Sequence, residues 1–140
     1  MIEFFMAMEP PTATHQEKQA AIVKGRIRMY EPQRVKDARA KIMAHLGRHR
    51  PEAPMEGPLR LVTKWIFPGR EGRGHEWKTT KPDTDNMVKL LKDCMTAEGF
   101  WIDDAQVASE ITEKFLGRPP GIYVRVEELE HGEESETGEA

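Results

Sequence analysis

The order of apolar patterns along this chain predicts a single α+β domain, a small mixed or antiparallel sheet with two main helices on one face. Leu59, Leu61, Thr63, Trp65 and Phe67 alternate with Arg60, Val62, Lys64 and Ile66, the period of a strand. Two other stretches have the period of a helix with one apolar stripe: Val35, Ala38, Ile42 and Leu46, then Met87, Leu90, Leu91, Cys94 and Met95. A length of 140 residues suits one domain with a modest core. The elements fall in the order β, short β, α, β, α, β, β.

The chain opens with a short hydrophobic run, Met1 to Met8, read as a core strand that stops at Pro10-Pro11. It is too short, and lacks the basic leader, for a signal peptide. Thr12 to Gln16 is a polar loop, and Lys18 to Ala21 shows no clear period. Gly25 to Tyr30 alternates basic and apolar residues as a half-exposed strand would, with Lys24, Arg26 and Arg28 on one face. Such a face serves equally to keep an edge strand soluble or to contact phosphate. Pro32 suits the first turn of the next helix, and Gly47 ends it. His45 and His49 are four apart, but Gly47 lies between them and no carboxylate is near, so a zinc site is not expected.

The central strand ends at Pro68-Gly69. The Gly-rich loop from Arg70 to Lys81 carries Arg70, Arg73, Lys78 and Lys81 with Trp77 among them, a composition suited to a nucleic-acid backbone. Beyond the second helix, Val107, Ser109, Ile111, Glu113 and Phe115 alternate in one strand, and Ile122, Val124 and Val126 in another. With the turn Gly117-Arg118-Pro119-Pro120-Gly121 between them, these two are expected to form an antiparallel hairpin.

Charge is unevenly spread. The chain has 21 Lys and Arg against 24 Asp and Glu, net −3, which argues against a DNA-binding protein when taken whole. Seven of the acids, however, lie in residues 127–140, where there is no Lys or Arg. The rest of the chain carries 17 acids against 21 bases, net +4. A mildly basic body therefore precedes a strongly acidic end with little to bury. Cys94, the single cysteine, lies on an apolar stripe, which suits an inert buried thiol in a reducing cytoplasm. No segment approaches the length of a membrane span.

Residues 81–107 carry the chemistry. Pro82 resists helix, and Asp83 and Thr84 are both acceptable N-caps, so a helix is expected to start at about Thr84 or Asp85. Asp85, Lys89 and Lys92 share its polar face, Gly99 ends it, and Phe100, Trp101 and Ile102 form an apolar return. If that return packs on the helix, Asp103 and Asp104 meet Asp83 and Asp85 at one end. Four carboxylates beside a lysine suit a hard divalent cation and phosphate chemistry. Acidic residues at a helix N-terminus also complement the macrodipole, so the first pair alone decides nothing. An EF-hand is excluded, because an oxygen ligand near Met87 and a later Gly and Glu in the same loop are missing.

Lys81-Pro82-Asp83-x-Asp85-Asn86-x-x-Lys89, then Asp93, Gly99-Phe100-Trp101 and Asp103-Asp104-x-Gln106-Val107, resembles the RusA family of Holliday junction resolvases in order, spacing and residue type. The resemblance is ungapped through this region and weaker out to about Glu128. Residues 1–128 are accordingly expected to form a RusA-like endonuclease domain, and 129–140 an acidic, disordered tail. The resemblance implies a homodimer that resolves four-way junctions by paired symmetric nicks in DNA recombination and repair. It implies a bacterial cytoplasm, with a phage or prophage as a source, and magnesium as cofactor, with manganese able to substitute. It implies Asp83, Asp85 and Asp104 as metal ligands and, with Lys89, as the catalytic set. Asp103 is then a supporting or alternative ligand, and Asn86 a residue of the turn. Lys24, Arg26, Arg28, Arg70, Arg73, Lys78 and Lys81 are the candidates for contact with DNA. Two other functions stay open: a nuclease for flaps or forks, and a structure-specific DNA-binding protein without catalysis. Clustered carboxylates argue against the last, since they repel phosphate.

Overall fold

The computed structural model describes residues 1–13, 19–70 and 74–130, with the side chains of residues 19–23, 28 and 29 outside the description. Its strands are β1 (Ile2–Met6), β2 (Gln19–Val23), β3 (Arg26–Tyr30), β4 (Leu59–Pro68), β5 (Glu76–Trp77), β6 (Val107–Gly117) and β7 (Gly121–Glu128). The helices are α1 (Gln33–Leu46) and α2 (Thr84–Ala97). Five strands form one mixed sheet in the order β1-β7-β4-β6-β5, in which only β4 and β6 run parallel. This is the expected α+β class.

β4 is the centre because its sequence can bury both edges and one whole face. Leu59, Leu61, Thr63, Trp65 and Phe67 are all buried, and Phe4 and Met6 of β1 and Ile122, Val124 and Val126 of β7 lie on the same face. Against them pack Ala38, Ile42 and Leu46 of α1 and Met87, Val88, Leu90, Leu91, Cys94 and Met95 of α2, in a single core. On that face the fully buried Thr63 accepts the Trp65 indole N–H at 2.9 Å, so the indole donor is not orphaned.

The expected β6–β7 hairpin is not formed. β4 lies between the two strands, parallel to β6 and antiparallel to β7. The segment Arg118–Pro120 instead steps across the end of β4, where Gly69 N donates to Gly117 O at 3.0 Å and Arg118 Nε to Gly69 O at 3.0 Å. A period of two fixes which face a residue takes but not which strand lies beside it. The strand most able to be buried took the middle.

The single alternation expected along β6 is broken as well. A bulge shifts the register between Leu59↔Val107 and Arg60↔Ser109. Val107 therefore faces the helices, whereas Ser109, Ile111, Glu113 and Phe115 turn to the opposite face. Glu110, Thr112, Lys114 and Leu116 take the helix side, paired with Leu61, Thr63, Trp65 and Phe67.

Two strands arise where none is expected. β2 covers part of the stretch without a period and pairs with β3 in a hairpin separate from the main sheet. Lys24 (φ 52°) and Gly25 (φ 77°) form its turn, a pair of left-handed residues that suits a two-residue hairpin. Lys24 is therefore on the turn and not on the strand face shared with Arg26. β5 lies within the expected loop 70–81 and pairs Trp77 with Phe115. The polar loop at 12–16 falls partly outside the described residues, and Arg73 and the acidic end from residue 131 fall wholly outside. Among the described residues no helix is long and apolar enough to cross a membrane.

The register makes a stability prediction. Leu61→Ala empties a fully buried site on the helix side and should cost about 2–5 kcal/mol in urea unfolding. Ile111→Ala, on the other face and 44% exposed, should cost less than about 1 kcal/mol. Equal losses would contradict the bulge. Burial also pushes the Cys94 thiol up to about 12, against an opposing pull from Arg39. Iodoacetamide at pH 8 should label the native protein roughly a hundredfold or more slower than the urea-unfolded chain.

Candidate active site

α2 begins where the sequence says it should, at Thr84, with Asp83 in the N-cap position. Asp83 does not cap: its side chain makes no hydrogen bond to the first turn. The Asp85 side chain, in that turn, takes part in no hydrogen bond or ion pair among the described residues. Both carboxylates are exposed, so two acceptor-only groups are held at a helix N-terminus with their oxygens uncommitted. Asn86 is half-buried and engaged within the structure, as a residue of the turn would be.

The far end of α2 sets the second half of the site. Gly99, at φ 84°, adopts the left-handed conformation that closes a helix, and Phe100 N donates to Met95 O at 3.0 Å. Phe100 and Trp101 are then driven into the core. The Trp101 indole donates to Thr96 Oγ1 at 2.7 Å, which fixes the return segment on the helix. The expected packing of Phe100 and Trp101 is thus observed; Ile102 is exposed.

Asp103 and Asp104 follow and do different work. Asp103 caps the 3-10 turn Asp104–Gln106, accepting Ala105 N at 2.9 Å. Gln106 Oε1 completes the reciprocal box by accepting Asp103 N at 3.1 Å, and its Nε2 donates to Met55 O and Gly57 O, both at 3.1 Å. With Asp103 engaged in that way, Asp104 faces α2. Lys89 Nζ lies 3.5 Å from Asp104 Oδ2 and 2.9 Å from Asp93 Oδ1. The hydrogen bond to Asp93, with the charges of Asp93 and Asp104, outweighs partial burial and raises the Lys89 pKa above the ordinary lysine value. Lys89 is a fixed cation at neutral pH and has no lone pair to act as a base.

β6 supplies residues that sequence patterning did not single out. Glu110 accepts from Lys92 Nζ at 2.8 Å. Lys114 Nζ donates to Thr80 O at 2.7 Å and Pro82 O at 2.6 Å, next to Asp83. Between them on the same face, Thr112 Oγ1 is buried with no hydrogen-bond partner among the described residues. Reading β6 as a single alternation hid this face, because the bulge sits inside the pattern. The Asp103-x-x-Gln106 box, by contrast, was legible as a capping signature.

The donor chemistry fits a hard divalent ion: free carboxylate oxygens from Asp83 and Asp85, Asp104 opposite Lys89, and an orphaned hydroxyl at Thr112. Convergence is weaker than the chemistry. Among the described residues no three Asp, Glu, His or Cys side chains are gathered closely enough to hold a metal. His49 is not a ligand candidate; its ring stacks on Phe4, with centroids 4.4 Å apart.

The basic candidates fare unequally. Arg26, Arg70 and Lys81 are exposed, as is Lys24 on its turn. Lys78 is turned inward, donating to Thr80 Oγ1 at 2.8 Å with its ammonium 5.0 Å from the Phe67 ring centroid. Burial, then the charge of Lys114, lowers its pKa. Trp77 is 66% exposed and lies against Phe115, with ring centroids 4.7 Å apart. The Arg28 side chain and all of Arg73 lie outside the described residues.

Comparison with known proteins gives the family. Residues 9–127 match the model of a family described as endodeoxyribonuclease RusA. The chain is 32% identical over 130 residues to a crossover junction endodeoxyribonuclease rusA of Lactococcus phage r1t, covering 91% of this chain and 98% of that protein. It is 28% identical over 121 residues to an uncharacterized protein, YqaN, of Bacillus subtilis (strain 168), covering 78% and 84% of the two chains. A family match over most of the domain, and a relative matched along nearly its whole length, place this chain in the RusA family of endodeoxyribonucleases.

Proposed function

We propose that this enzyme is a magnesium-dependent resolvase of four-way DNA junctions, acting as a homodimer in recombination and repair. One observation carries the reading: Lys89 joins the polar face of α2 to Asp104 at 3.5 Å. It links the two halves of the sequence motif, which lie fifteen residues apart. The phage relative, named for crossover junctions, supports the choice of substrate. A junction has approximate two-fold symmetry, so a two-fold dimer can present one site to each of two opposed strands.

Asp83, Asp85 and Asp104 would hold the metal, whose chemistry is to polarise a scissile phosphate and lower the pKa of an attacking water. The chain's own groups do the rest. Lys89, held cationic by Asp93, neutralises charge that builds on the phosphate in the transition state. Asp103 and Gln106 hold the turn from which Asp104 projects. Arg26, Arg70, Lys81 and the exposed Trp77 offer cationic and stacking contacts to the DNA strands.

The direct test is cleavage of a mobile four-way junction with magnesium, beside linear duplex, single strand and flap. Preference for the flap would redirect the substrate assignment, and no cleavage of any would sink the nuclease reading. Asp83→Asn, Asp85→Asn and Asp104→Asn should each abolish cleavage while junction binding in gel shifts survives or tightens. Full activity of Asp83→Asn would remove it from the ligand set.

Lys89→Met should slow turnover about a hundredfold or more without weakening magnesium binding by calorimetry. Asp93→Asn removes the carboxylate charge and leaves only a weaker, neutral acceptor, so the Lys89 pKa falls toward the ordinary lysine value. Because that value is about 10.4, Lys89 stays protonated near neutrality. The variant should therefore lose about tenfold in rate through misplacement of the ammonium, with no new limb in the pH–rate profile below about pH 9. A new limb below that pH would mean that Lys89 does not act as a fixed cation.

A further inference from the structure

Lys114 is half-buried on the helix side of β6, where a strand under a helix would ordinarily carry an apolar residue. Its ammonium donates to Thr80 O at 2.7 Å and Pro82 O at 2.6 Å. Those carbonyls belong to the turn that delivers the chain to Asp83. Pro82 is buried and its peptide bond to Lys81 is cis; as a proline it brings no N–H of its own with which to fix the turn. A second bond reinforces the attachment: Lys78 N donates to Lys114 O at 3.1 Å. The loop before α2 is thus tied to β6 twice at one residue, once through its backbone and once through its side chain. β6 also begins directly after the turn that carries Asp104. Both carboxylate-bearing segments take their position from this one strand, Asp104 by chain continuity and Asp83 through Lys114.

We infer that Lys114 is a positioning residue of the active site, which fixes Asp83 at the head of α2 by clamping the carbonyls of Thr80 and Pro82. The inference deepens the nuclease reading and rests on it for its catalytic consequence. Charge-assisted bonds to carbonyls are stronger than neutral ones, so two short ones tie the turn to β6, whereas the Lys78 Nζ bond to Thr80 Oγ1 lies within the loop itself. Lys114 itself does not touch phosphate. Its two bonded donors are directed at backbone, unlike Lys89, which is directed at carboxylates.

The test begins without metal or DNA. In the full chain, Lys114→Met keeps the aliphatic stem and removes the clamp. Hydrogen exchange should quicken about tenfold or more at the Met87 amide, which donates to Asp83 O, while amides of β4 and β7 keep their protection. On a four-way junction with magnesium, the single-turnover rate should fall about a hundredfold, and the junction Kd in calcium should stay within about threefold. Lys114→Arg, which keeps donors for both carbonyls, should retain at least about a tenth of the wild-type rate. Unchanged exchange at Met87 in Lys114→Met overturns the inference. So does a Kd that rises in step with the loss of rate, since Lys114 would then be a DNA contact. Should Lys114→Met not fold, Lys114→Arg decides alone, and a loss beyond about tenfold in that folded variant overturns the inference. Wild-type protein inert on every DNA substrate would sink the nuclease reading instead, and the exchange comparison would still judge the clamp.

Discussion

The parallel pairing of β4 with β6 is the constraint on which the site depends. A parallel pair cannot be joined by a tight turn, so the chain leaving β4 must return to the start of β6 by a long route. That route holds β5, α2, Gly99 and the two aspartates, which is nearly all of the functional machinery. The crossover exists because β4 is buried on both edges, and it places a helix N-terminus and a helix exit on the same side of the sheet. The catalytic candidates are thus by-products of how the central strand is covered.

How much of this was legible depends on which physical signal each element carries. α2 could be read to within a residue or two because its stripe, from Met87 to Met95, is long and its stop at Gly99 requires a positive φ. The face of β4 was equally plain, since large apolar side chains occupy every second position and all are buried. The neighbours of β4 were not plain. Ile122, Val124 and Val126 fit beside β4 or β6 equally well by pattern, and only burial of the whole sheet separates the two. β5 is two residues long and held by pairing with Phe115 and Leu116, so no local period announces it.

The site divides in the same way. Asp83, Asp85, Lys89 and the pair Asp103-Asp104 could be picked out by spacing, Asp104 over Asp103 only by the family resemblance, and the structure brings Asp104 to Lys89. Composition could not separate the lysines by role. Lys78, Lys89, Lys92 and Lys114 look alike in sequence, yet one lies over an aromatic ring, two pair with carboxylates and one holds carbonyls. Each assignment is made by what the sheet and helix bring within about 3 Å of the ammonium. The bulge at the start of β6 decided the last of them, by turning Lys114 to the helix side.

Asp103 and Asp104 are identical in type and adjacent in the chain, but they are not copies of one another. The first needs only an acceptor oxygen for the Ala105 amide, a requirement that asparagine or serine also meets. The second stands against an ammonium, where net charge matters. The pair is therefore one electrostatic residue and one geometric residue written with the same letter. A chain with Asn-Asp at this point would keep both the cap and the ion pair to Lys89, and one with Asp-Asn would lose the ion pair, although the two have the same composition and charge.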